Sequence, residues 1–149
     1  MKIDLKEFRK RDKYINELKH PTRDLIIWNY SNACQFDNAW DEFTKMSRGL
    51  ITDLEGNIIA RPFKKFFNLG EHTGEDTKLS PLPLEDFEVY DKMDGSLAVS
   101  FWMKDKPYIA TRGSFVSEQA IHATKILQQY FSKWGKDLMW EGYTYLWEF

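Results

Sequence analysis

Residues 88–101 read "EVYDKMDGSLAVSF". Alternating apolar residues lie on both sides of Met93-Asp94-Gly95-Ser96. Asp-Gly between such runs is a strong hairpin signal, because glycine tolerates positive φ and aspartate bonds its own backbone. The stretch therefore predicts a β-hairpin. After a second turn at Lys104-Asp105-Lys106-Pro107 the strands would run on through "PYIATRGSF" as an antiparallel meander. It also places Lys92 just before the turn, either as an incidental turn residue or as a nucleophile at the lip of a pocket.

Downstream, "SEQAIHATKILQQYFSKWG" changes to helical period. Val116, Ala120, Ala123, Leu127, Tyr130 or Phe131, and Trp134 share one face, with Ser117 as N-cap and Gly135 past the C-terminus. The closing "YTYLWEF" reads as a further buried strand, and an apolar strand at the chain's end implies the front part of something longer. Upstream, "GEHTGEDTKLSPLPLED" reads as a polar surface loop. "GLITDLEGNIIARPF" reads as a hairpin turning at Glu55-Gly56-Asn57, and "DLIIWNYS" as a buried strand. "DNAWDEFTKM" suits a short helix with Trp40 and Phe43 inward. The opening "DLKEFRKRDKYINELK" places Leu5, Phe8, Tyr14, Ile15 and Leu18 at helical spacing before His20-Pro21. Its basic residues, interleaved with acids, read as a solvated helix face.

A chain of 149 residues with six tryptophans has the apolar mass for one ordinary domain. A net charge of -2 and a pI near 5.9 exclude a whole-surface electrostatic clamp on nucleic acid, though not a local basic groove. One cysteine, Cys34, and the absence of an apolar leader or membrane-length run imply a reducing, cytoplasmic setting away from membranes. With Cys34 and three scattered histidines, a structural zinc site lacks ligands, and no metal ligands are assigned. Trp28, Trp40, Trp102, Trp134 and Trp147 lie at core spacing and are expected to pack inside rather than stack on bases.

Four further stretches keep the lysine company: "SRGLI" at 47–51, "KKFFNLGE" at 64–71, "TRGSF" at 111–115 and "YLWEF" at 145–149. "DKMDGSL" resembles the K-x-D-G-S motif of covalent nucleotidyltransferases, the superfamily of ATP-dependent ligases and mRNA capping enzymes. In their order and separations, "SRGLI", "RPFKKFFNLGE", "DKMDGSL" and "TRGSFVSEQA" are similar to the adenylyltransferase domain of phage-type RNA ligase 1, a domain type shared by fungal tRNA ligases. The resemblance runs from about Ile27 to Phe149.

The resemblance implies an α+β fold whose antiparallel sheets form a nucleotide-binding cleft, flanked by helices near Leu5 to Leu18 and Ser117 to Trp134. It implies an ATP-dependent RNA ligase, using Mg²⁺, in which Lys92 becomes a lysyl-adenylate. AMP would pass to an RNA 5′-phosphate, and that end would join a 3′-OH. A free lysine, with a pKa near about 10.4, is rarely neutral at pH 7, so cations must lower that value. Arg48, Lys65 and Arg112 match the family's basic positions and would also hold phosphate oxygens. Asp94 and Gly95 shape the turn against the nucleotide, Phe67 matches an aromatic beside it, and Glu148 matches a carboxylate that reaches the ribose.

Read without the resemblance, Arg48 is a solvated residue at a strand entrance, Lys65 part of a surface basic cluster, and Arg112 a partner for Asp91 or Asp94. Phe67 is then a core strand residue and Glu148 a solvent-facing one. Family members continue with a glutamate-bearing strand and a strand carrying two phosphate-binding lysines, so residues 1–149 are expected to be a single partial adenylyltransferase domain without the C-terminal motifs. Position 112 is arginine where phage ligases also show lysine. The alternatives are a truncated, inactive nucleotide- or RNA-binding module and a GTP-dependent capping-type transferase. The oligomeric state is not readable from the residues.

Overall fold

The computed structural model describes residues 1–68, 70–71 and 84–149. Most of the expected polar loop, and Leu69 of "KKFFNLGE", lie outside the described residues.

"LIIWNY" is apolar without alternation because both faces of the strand it forms, β2 (Leu25–Tyr30), are covered. On one face Ile26 and Trp28 pack with Leu50, Ile3, Phe8 and Ile15. On the other, Leu25 and Ile27 join Ile51, Ala60, Val99, Phe101, Ala110 and Phe115. β2 lies inside an antiparallel sheet of order β1-β2-β3-β4, with β1 at Ile15–Lys19, β3 at Arg48–Asp53 and β4 at Ile58–Ala60. A second antiparallel sheet, β6-β5-β7, contains β5 (Leu97–Met103), β6 (Lys106–Thr111) and β7 (Leu146–Glu148). The two sheets face each other across the mixed core. Short helices α1 (Leu5–Arg9), α2 (Asn32–Phe36) and α3 (Glu42–Met46) accompany the first sheet, and α4 (Glu118–Trp134) covers the outer face of the second. The fold is α+β with two antiparallel sheets, as expected.

Ser117 caps α4, its hydroxyl accepting from the Ala120 N–H at 3.2 Å. Asp53 organises the β3–β4 turn by accepting from the N–H groups of Glu55 and Asn57, and Gly56 takes φ +89° there.

Four expectations are corrected. The opening helix stops at Arg9, and residues 15–19 form β1, paired antiparallel with β2 from Ile15↔Tyr30 to Lys19↔Ile26. Ile15 and Leu18, three apart, suit one helix face, yet in β1 they lie on opposite faces with only Ile15 buried; the unpaired edge of β2 decides, because buried backbone groups must find partners. Asn16, Glu17 and Lys19 suit an edge strand. The hairpin at 88–101 does not form: Glu88 to Asp94 belongs to no strand, with Val89 and Tyr90 exposed. β5 already has β6 on one edge and β7 on the other, which leaves "EVYDK" nothing to pair with. The apolar stripe of α4 runs through Ala120, Ala123 and Leu127 to Phe131, which packs against Trp102, while Val116, Tyr130 and Trp134 are exposed. Lastly, β7 is not buried, and Trp147 is 41% exposed. No described helix is long and apolar enough to cross a membrane.

His20 closes the end of β1 against the Phe115 ring, with ring centres 4.8 Å apart, and its Nδ1 accepts from the Thr22 N–H at 3.1 Å. Burial lowers its pKa below the ordinary value, and Arg23 acts the same way. The unfolded chain thus takes up this proton at higher pH than the folded one. Stability from neutral His20 is present above about pH 6.5 and is lost as pH falls through the lower folded value. Urea midpoints measured between pH 7.5 and 5 should fall, and His20→Gln should flatten the fall; an identical profile in the variant would refute the assignment.

Candidate functional site

Three strand ends meet at one rim of the space between the sheets: the end of β2 at Asn29 and Tyr30, the start of β3 at Arg48, and the end of β6 with its following turn at Arg112 and Gly113. Thr111 and Ser114 close that turn in a backbone bridge. Gly49 has φ +82°, and a Cβ there would lie 3.2 Å from Arg112 Cα. Glycine in "SRGLI" therefore lets β3 press against the backbone of "TRGSF", and the two separate motifs become one surface.

Arg112 donates from Nη1 to the Tyr30 hydroxyl at 2.8 Å, with Cζ 5.0 Å from the ring centre. Neither Asp91 nor Asp94 is its partner among the described residues. Half-buried Arg48 has Cζ 5.1 Å from the Phe66 ring centre. Burial is the main influence lowering its pKa and the Arg112 charge adds to it, whereas Tyr30 and the Glu148 carboxylate act oppositely. Lys65 donates to the Phe66 carbonyl at 2.6 Å, with Nζ 4.2 Å from the Phe67 ring centre. Its pKa is likewise lowered, first by burial and then by Arg48 and Arg112, against an opposing pull from Glu71. Arg48, Lys65 and Arg112 therefore share one field of like charge. The segment carrying Lys65 is anchored where the Lys65 N–H donates to the Lys45 carbonyl at 2.7 Å. Phe67, Trp40 and Tyr30 form an edge-to-face chain beside the cations, at 5.3 and 5.1 Å between centres. "KKFF" is not a strand, and Phe66 is largely exposed.

On the neighbouring edge, the Ser96 N–H donates to the Phe149 carbonyl at 2.8 Å, and the Phe149 N–H returns a bond at 3.1 Å. A Cβ on Gly95 would lie 2.8 Å from the Phe149 carbonyl oxygen and 3.1 Å from Glu148 Cγ. That clearance needs glycine. The structure thus gathers Arg48, Lys65, Phe67 and Arg112, and it couples Glu148, with Gly95 against it, to Arg48. Lys92 and Asp94 remain outside, 87% and 99% exposed and paired with each other at 3.2 Å. Asn29 and Tyr30 are not among the residues singled out from the sequence, and Trp40, expected in the core, stands beside Phe67 and Lys65. The only hint was the two polar letters ending an otherwise apolar "LIIWNY".

A cavity of about 330 Å³ lies between α4 and the second sheet, lined by Ala98, Ile109, Ala123, Leu127, Trp147 and Glu148. Its walls offer no convergent polar groups of the kind that orient a ligand. No three His, Cys, Asp or Glu side chains converge as a metal site among the described residues. Four basic residues of the N-terminal segment are engaged by acids: Arg9 with Glu17, Lys10 with Glu7, Arg11 with Asp41, and Lys13 with Asp37.

The pattern of the family described as RNA ligase matches residues 46–149, a stretch that includes Arg48, Lys65, Lys92, Arg112 and Glu148. A protein of Thermovibrio ammonificans named "Putative RNA ligase" is 25% identical over 119 residues, which cover 79% of this chain and 30% of that protein. The matched part thus spans about a third of that relative's length.

Proposed function

The chain belongs to the RNA ligase family, and from that membership and the cationic rim we propose that it carries the nucleotide-handling part of an ATP-dependent RNA ligase with Lys92 as the covalent nucleophile. The observation that carries the proposal is that Gly49 presses the start of β3, with Arg48, against the Arg112 backbone, and Lys65 shares their field of charge. Three like charges in a partly desolvated rim repel, and a triphosphate would supply the opposing charge. The planar forks of Arg48 and Arg112 suit phosphate oxygens, and the Glu148 carboxylate can accept from ribose hydroxyls.

In the first step the neutral Lys92 amine attacks the α-phosphorus. A nitrogen–phosphorus bond forms, the bond from the α-phosphorus to the bridging oxygen breaks, pyrophosphate leaves, and the surplus amine proton goes to solvent. An oxygen of an RNA 5′-phosphate then attacks the same phosphorus, the nitrogen–phosphorus bond breaks, and the Lys92 amine leaves and regains a proton. Finally a 3′-OH attacks the RNA phosphorus, its proton goes to solvent, and the bond to AMP breaks as AMP leaves. Lys92 must come in from solvent for this, and Gly95, followed by the pinned Ser96, is where the approach would turn. Mg²⁺, when bound, would supply charge neutralisation at the phosphates; among the described residues no three acidic or other ligating side chains converge to hold it.

The exposure of Lys92 favours a second reading, a folded nucleotide- or RNA-binding module without chemistry of its own. Intact mass after incubation with ATP or GTP in Mg²⁺, beside calorimetry, separates these. The ligase reading expects a gain of one AMP from ATP. Binding without a gain favours the module, a gain of GMP favours the capping-type alternative, and neither binding nor gain would overturn the nucleotide reading.

A further inference from the structure

Asn29 carries a feature that the steps above do not use. It is nine-tenths buried, and its side-chain oxygen has no hydrogen-bond partner. Buried polar groups are nearly always paired, so such an oxygen marks a place where a donor is missing.

Its position is defined from two directions. Along β2, Ile27 packs into the core between the sheets and Trp28 faces the helices, so alternation returns Asn29 to the inter-sheet side. Across that space, the Asn29 amide nitrogen lies 3.8 Å from where a Cβ on Gly113 would stand. Asn29 is also opposite Arg48, at a register shift in the β2–β3 pairing. The carboxamide therefore lies beside Gly113 and opposite Arg48, at the inter-sheet side of the rim. Arg112 gives its Nη1 to Tyr30, and Arg48 lies over Phe66, so the neighbouring donors are directed elsewhere.

A phosphate oxygen cannot satisfy another acceptor. Resting on the nucleotide reading above, we propose that the Asn29 side-chain oxygen accepts a hydrogen bond from a donor on the nucleoside half of the ligand, a base amine or a ribose hydroxyl. Asn29 is then a specificity-determining contact. A site built around a hydrogen bond rejects a ligand that lacks the matching group far more strongly than an apolar wall could.

The test is calorimetric titration in the Lys92→Ala background, which separates binding from chemistry, with Asn29→Leu and Asn29→Ala compared against Asn29. The ligands are ATP, inosine triphosphate, and the 2′- and 3′-deoxy forms of ATP. Asn29→Leu should weaken ATP binding by at least about tenfold without lowering the melting temperature of the unliganded chain. The analogue lacking the matched donor should bind all three chains alike, inosine triphosphate if the donor is the amine and a deoxy form if it is a hydroxyl. Unchanged ATP affinity in both variants overturns the assignment and leaves the nucleotide reading standing. So does an equal loss for every ligand. Loss of folding in both variants also overturns it, because removing an unpaired acceptor should not cost the fold. A parent chain that binds no nucleotide fails the nucleotide reading, and this inference with it.

Discussion

Lys92→Ala is expected to abolish the AMP adduct while leaving ATP binding and stability nearly unchanged. The Lys92 side chain is 87% exposed, and its ion pair is with Asp94, itself 99% exposed. An exposed pair of this kind contributes at most about 1 kcal/mol, so the melting temperature should barely move. Lys92 also stands apart from the charges that act on Arg48 and Lys65, so the rim that would hold phosphate survives its removal. What disappears is the amine, and with it any covalent product. Lys92→Arg should fail as completely, because a guanidinium stays protonated and is no nucleophile. Intact mass with and without ATP and Mg²⁺ reads the adduct, and calorimetry reads binding. An adduct that persisted in Lys92→Ala would transfer the covalent role elsewhere, with Lys65, already at the rim, the first position to map. Loss of binding together with the adduct would mean that Lys92 holds the nucleotide rather than attacking it.

How much of this was legible in the sequence depends on whether the deciding interaction is local. The turn at Glu55-Gly56-Asn57 and the Ser117 cap were readable because Asp53 and Ser117 satisfy N–H groups within a few residues. β1 was not, because Ile15 and Leu18 stand at helical spacing, and only pairing with β2 imposes the strand that puts them on opposite faces. The failed hairpin at Asp94-Gly95 has the same origin. A turn signal cannot register that β7, starting far down the chain at Leu146, takes the edge of β5. The site divides likewise. The order of motifs pointed to Arg48, Lys65 and Arg112 together, and the structure brings these three together. The contact of Gly49 with the Arg112 backbone, the role of Tyr30 as acceptor, and the orphaned oxygen of Asn29 are non-local, and no spacing encodes them. Tryptophan was a poor guide to the core: Trp28 is buried, while Trp134 and Trp147 stay about half exposed.

Trp28→Ala is expected to be the most destabilising single truncation in the first sheet. Trp28 is 1% exposed and meets the Phe8 ring edge-on at 5.2 Å. Its indole N–H donates to the hydroxyl of the fully buried Thr52 at 2.9 Å. Truncation removes the largest fully buried side chain between β2 and the helices, at a cost of about 3–5 kcal/mol for a change of this type. It also leaves the Thr52 hydroxyl without its donor, which alone costs on the order of 1–3 kcal/mol. The two losses share one cavity and will not add fully. Against a total stability of about 5–15 kcal/mol, the variant should be only marginally folded at room temperature. In urea the midpoint should drop sharply with the slope retained, since the surface exposed on unfolding hardly changes. Trp28→Phe keeps most of the ring but loses the bond to Thr52, and should fall between the two. The same residue immediately precedes Asn29 and Tyr30, at the register shift that turns the end of β2 toward Arg48 and Arg112. A cavity there should weaken ATP binding even in the fraction of Trp28→Ala that remains folded, whereas Trp28→Phe should keep it. If Trp28→Ala cost less than about 1 kcal/mol, below the usual range for buried large-to-small changes, the packing of β2 against α1 and α3 would not be what holds this end of the site in place.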